Sequence, residues 1–144
     1  MFSEKQLPNH LAITLVGRLL FTLLFLLSGV THFTNIPGYV ALMHEGVPYR
    51  EFWVLTSGVV ELAGAGMILF NWRPRLGGWL LIIFLLPVTI LVHGYEMLNA
   101  TDEAWRVIQQ ASFVKGFALI GAALLITQLG VTHRPVTQAD DNDG

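Results

Sequence analysis

The chain has 144 residues, enough for one domain; 53% are hydrophobic and only 12% charged, with a net charge of −2 and a mean hydropathy of +0.59. A water-soluble domain carries about 25% charged residues, so too few polar side chains are present to cover a surface, and lipid is the expected surroundings. The absence of cysteine excludes disulfides, thiolate nucleophiles and iron–sulfur ligation by this chain. No basic patch is dense enough for nucleic acid.

Four apolar stretches can cross a hydrocarbon core, which takes about 20 helical residues: residues 11–33, 52–70, 76–93 (or to 95) and 112–129. Lipid offers no partner for backbone N–H and C=O groups, so at this length the stretches read as helices. The first has too long an apolar core for a signal peptide and is interrupted by Arg18, so it reads as a retained helix. The expected fold class is all-α: a four-transmembrane-helix bundle filling a single membrane domain, residues 1–133. The polar tail 134–144 lacks apolar periodicity and reads as disordered.

The connections differ. Residues 34–51, "TNIPGYVALMHEGVPYRE", allow a short interfacial helix or flap between the first and second spans, opened by Pro37 and closed by Gly46 and Pro48. The turn "NWRPR" is tight, and residues 96–111 read as a polar connection. Lys5, Arg73, Arg75 and Arg134 fall on one side of the bundle and Arg50 and Arg106 on the other. That bias predicts both termini in the cytoplasm.

Glu61 raises the functional question, because a carboxylate inside a bilayer is costly unless it is paired, neutralised or facing a cavity. Its neighbours one turn away are Ser57, Gly58, Gly64 and Ala65. Small residues at that spacing mark a helix–helix packing face, so Glu61 is expected to point inward. By helical phase Arg18 and His32 share an inward stripe on the first helix. Thr89, His93 and Glu96 follow one face of the third, above a kink at Pro87. Lys115 enters the fourth helix beside Ala111, Ser112 and Ala118. The candidate pocket or proton-relay set is therefore Glu61, His93, Lys115, His32 and Arg18, with Glu96 at the rim.

Each candidate has a structural reading as well as a functional one. Lys115 and Arg18 can snorkel to the interfaces, and the histidines can bond backbone or water. Glu61 can serve as an ion-pair partner of Lys115 or Arg18, or act in binding or proton transfer. No HxxxH or ExxH spacing occurs, so no metal site is assigned. A haem between His32 and His93 is the lesser cofactor alternative to a quinone.

The succession "GRLLFTLLFLLSGVTHF", "GYVALMHEGVP", "VVELAGAGMILFNWRPRLGG", "VTILVH" and "FVKGFALIGAALLI" resembles the DoxX family of small four-helix membrane proteins, over about residues 15–127. The family's name derives from relatives of a membrane subunit of thiosulfate:quinone oxidoreductase. The resemblance therefore implies a quinone-linked or oxidative-stress role, often beside another protein. Carried over by position, it singles out Arg18, Glu61 and His93. His32 stands where many members have lysine, and Lys115-Gly116 where many have lysine-asparagine. None of these motifs is a catalytic signature, so no catalytic residue is named.

Together these readings predict an integral protein of the bacterial inner membrane with a polar pocket in the outer half of the bundle. Its expected role is a quinone-proximal or accessory subunit of a membrane redox system. The alternative is a structural or assembly subunit with no chemistry of its own. Expected partners are the lipid bilayer, other membrane or redox subunits, or a second copy of the chain. A carrier is disfavoured because no inverted repeat or broken helix pair is visible.

Overall fold

The computed structural model describes residues 11–129. The expected tail 134–144 lies outside the described residues, as do residues 1–10 and 130–133 of the expected domain. Helix dominates because long leucine- and isoleucine-rich runs leave backbone groups no partner but their own chain. The elements are α1 (Leu11–Thr34), α2 (Ile36–Ala41), α3 (Arg50–Leu69), α4 (Pro74–Pro87), a π-helical segment (Val88–Gly94), α5 (Tyr95–Asn99) and α6 (Glu103–Leu129). Four helices are long and apolar enough to cross a membrane: Leu11–Thr34, Arg50–Leu69, Pro74–Asn99 and Glu103–Gln128. The third of these joins α4, the π-helical segment and α5.

Three sequence expectations change in detail. The short helix ends at Ala41, before the Gly46 and Pro48 expected to close it. Residues 96–111 are not a loop: α5 and the start of α6 occupy all but the turn at 100–102. Asp102 explains the early start of α6, because its Oδ1 accepts the Trp105 N–H at 2.7 Å and so satisfies a donor of the first helical turn. Polarity there marks the part of the helix beyond the apolar span. Pro87 does not merely kink its helix. A proline lacks the N–H that the preceding turn needs, and the chain continues past it as seven π-helical residues.

The tight turn after α3 is a Schellman motif, with the Trp72 N–H donating to Met67 O at 2.9 Å and Asn71 N–H to Ile68 O at 3.2 Å. Asn71 takes the left-handed conformation the motif requires, at φ 55°. Pro74 then opens α4.

Glycines set the distances between spans. A Cβ on Gly29 would stand 3.3 Å from Gly58 O, one on Gly77 only 2.6 Å from Gly64 O, and one on Gly78 3.2 Å from Ala123 O. These contacts seat α1 on α3, α3 on α4 and α4 on α6 in chain order. Phe25, Ala65, Ile68, Leu81, Leu85 and Ala123 fill the core between them. Among the described residues, the backbones of α1 and α6 do not approach each other, so the four spans form an arc with a seam between its first and last members.

The glycine contacts carry a testable consequence. Gly77→Ala forces a methyl against a backbone oxygen, and overpacking costs about 1–3 kcal/mol, more than the helix-propensity gain of about 1 kcal/mol. Its melting temperature in detergent should fall by several degrees. Gly66 has nothing within 4 Å of a Cβ, so Gly66→Ala should melt at or slightly above wild type. Equal melting of the two variants would mean the helices do not meet through these glycines.

Candidate functional site

Glu61 does point inward, as its small neighbours predict: Gly58, Gly64 and Ala65 are buried with it, and Glu61 itself is 2% exposed. Its partners come from α1. Ser28 Oγ donates to Glu61 Oε1 at 3.2 Å. His32, 5% exposed, holds Nδ1 3.3 Å from Glu61 Oε2. That Nδ1 also lies 2.8 Å from Ser28 O, a pure acceptor, so the ring hydrogen sits on Nδ1 and donates to the carbonyl. The Glu61 Oε2 contact is thus at ion-pair distance without hydrogen-bond alignment, and Oε2 has no hydrogen-bond partner among the described residues. Gly29 and Gly58, which bring α1 and α3 together, place these side chains within reach.

The expected pairing of Glu61 with Lys115 or Arg18 does not occur; among the described residues neither cation forms an ion pair with it. Arg18 precedes Ser28 by ten residues, which is about 15 Å along a helix, and does not line the cavity described below. Lys115 is exposed. The packing stripe of α6 runs through Gln109, Gly116, Ile120, Ala123 and Thr127, all buried, and Lys115 sits one residue off it. Ala111 and Ala118, whose small size suggested an inward face, are exposed as well.

A cavity of about 490 Å³ lies against Glu61 and His32 and reaches the seam between α1 and α6. Leu24, Leu27 and Ser28 of α1 face Ser112, Lys115 and Leu119 of α6 across it. Leu27 is 63% exposed, so the seam side is apolar and open toward the surroundings. Tyr39 roofs the cavity from α2, as the sequence suggested for a flap. Its ring stacks on His32 with centroids 3.8 Å apart, and its hydroxyl meets Thr31 Oγ1 at 2.7 Å.

The π-helical segment supplies the facing wall with Val88, Thr89, Val92 and His93. His93 Nδ1 donates to Gln109 Oε1 at 2.7 Å, leaving Nε2 of the neutral ring as an acceptor. Glu96 is not among the lining residues; it accepts the Trp105 Nε1–H at 3.0 Å. π-helical bonding reaches back five residues rather than four, so the face shared by Thr89 and His93 is lost before Glu96. Sequence reasoning missed Ser28 and Gln109. Ser28 was findable, one turn before His32 on the same face; Gln109 was hidden in a stretch read as connection.

The cavity is therefore lined by apolar side chains together with Glu61, His32, His93 and Lys115. Glu61 and His32 have two net-neutral arrangements, carboxylate with imidazolium and carboxylic acid with neutral imidazole, which hold the same number of protons and leave no isolated charge in the membrane. No curated protein and no solved structure matches the chain. The family model described as DoxX matches residues 13–94, from the first helix through the end of the π-helical segment. That is more than half of the sequence, and the chain belongs to the DoxX family.

Proposed function

We propose that this DoxX protein binds the head of a membrane quinone in the cavity and serves as a quinone-proximal or accessory subunit of a membrane redox system. The observation that carries the reading is Glu61 Oε2, buried without a hydrogen-bond partner among the described residues on the wall of a cavity with an apolar side. A quinone head needs hydrogen-bonding groups for its oxygens and a proton route, and its tail needs apolar surface. Glu61 as the carboxylic acid, packed beside His32, can donate to a quinone oxygen, His93 Nε2 can accept from the hydroxyl of the reduced quinol, and Leu24, Leu27 and Leu119 suit the tail. The lysine and arginine bias supports an inner-membrane orientation with both termini cytoplasmic and the cavity in the outer half. The second reading, a structural subunit, is favoured by the Ser28–Glu61–His32 contact, which locks α1 to α3 with no ligand.

Trp53 is the one tryptophan lining the cavity and provides the readout. A short-tailed benzoquinone should quench its fluorescence saturably, and Trp53→Phe should remove the saturable component. Glu61→Met, which keeps the length and has no donor, should weaken binding by about tenfold, the loss of one good hydrogen bond. A strictly linear quench in folded wild-type protein would reject the quinone reading and leave the structural one.

A further inference from the structure

Thr89 is 1% exposed, and its Oγ1 has no hydrogen-bond partner among the described residues. Several other helical hydroxyls among the described residues turn back on their own backbone. Thr22 donates to Arg18 O, Thr56 to Phe52 O and Ser57 to Trp53 O, each at 2.8 Å, and Thr127 to Leu124 O at 2.7 Å. Thr89 has the carbonyls of Leu85 and Leu86 at the same offsets and bonds neither. Its side chain is turned to α6, where a Cβ on Gly116 would collide with Oγ1 and stand 2.7 Å from Cγ2. The glycine makes room for an oxygen that bonds nothing in the protein, although a buried hydroxyl without a partner is destabilising.

Among the described residues two buried side-chain oxygens lack a hydrogen-bond partner, Glu61 Oε2 on α3 and Thr89 Oγ1 on the π-helical segment, and both residues line the same cavity. We infer that Thr89 is a second ligand-binding residue, whose hydroxyl donates to one oxygen of a two-oxygen head group while Glu61, as the carboxylic acid, donates from Oε2 to the other. The inference rests on the quinone reading for the identity of the head: a benzoquinone ring carries two carbonyl oxygens on opposite sides and presents one to each wall. Gly116 is a positioning residue that admits the Thr89 hydroxyl to the cavity wall.

The test compares Thr89→Ser with Thr89→Ala, which lose the same methyl and differ in the oxygen alone. In ligand-free detergent-solubilised protein, Thr89→Ala should melt at or above the temperature of Thr89→Ser, because it removes an unpartnered buried hydroxyl. Binding should rank the other way: Thr89→Ser keeps near wild-type affinity for a decyl-tailed benzoquinone, and Thr89→Ala binds it about tenfold more weakly. Decylbenzene, with the same tail and no ring oxygens, should bind both variants equally. If Thr89→Ala melts below Thr89→Ser, the hydroxyl supports the fold and the inference is overturned. Equal benzoquinone affinity in the two variants overturns it too. Wild-type protein that binds benzoquinone no better than decylbenzene instead overturns the quinone reading, and the melting order still decides whether Thr89 holds an unpartnered hydroxyl.

Discussion

Replacing His32 with phenylalanine is expected to lower the stability of the solubilised protein by about 3–5 kcal/mol, the cost of breaking a buried pair by removing one partner. Phenylalanine keeps a flat ring to stack on Tyr39 but cannot donate to Ser28 O or face Glu61 Oε2 with a polar hydrogen. The loss should not add to that of Glu61→Gln: once the carboxylate is neutral, His32 has less to compensate. A double-mutant cycle on chemical denaturation measures this. The same cycle run between Glu61→Gln and Lys115→Met, or Arg18→Met, should be additive within about 0.3–0.5 kcal/mol, as for sites without contact. Additivity between Glu61 and His32, or coupling to Lys115, would refute this site geometry.

The second large effect concerns the roof. Tyr39→Ala removes the ring stacked on His32, and because such a pair adds about 0.5–1.5 kcal/mol beyond its buried area, the total loss for this half-buried side chain should be about 2 kcal/mol. Tyr39→Phe keeps the stack and loses just the contact with Thr31 Oγ1, so it should cost well under half as much. Hydrogen exchange over residues 36–43 reads the same event locally: protection there should drop in Tyr39→Ala and persist in Tyr39→Phe. Unchanged exchange in Tyr39→Ala would mean that the loop's own turns hold α2 in place.

Single helices were legible in the sequence far better than their neighbours. Four spans, the short helix between the first two, and the burial of Glu61 all follow from local patterns: apolar length, Pro37, and the small residues around Glu61. The partner of Glu61 does not, because helical phase fixes the direction of a side chain on its own helix and says nothing of which helix stands opposite. Lys115 was drawn inward by small neighbours that in fact face outward, a misreading open to any helix whose small residues exceed its packing stripe. Pro87 announced a disturbance but not its form. The sequence has no periodic signal for a π-helical segment, and without that form neither the exclusion of Glu96 nor the unpartnered hydroxyl of Thr89 could be foreseen.

The seam between α1 and α6 also bears on how the chain is assembled. Among the described residues, every close helix contact joins spans adjacent in the sequence, so each new span can dock on the one inserted just before it, with little loop-closure entropy to overcome. A closed ring would add one more demand, a long-range meeting of the first and last spans after all the others were in place. This architecture omits that step. The seam is where a cavity interferes least with folding, since no contact needed to build the molecule has to be given up to leave it open.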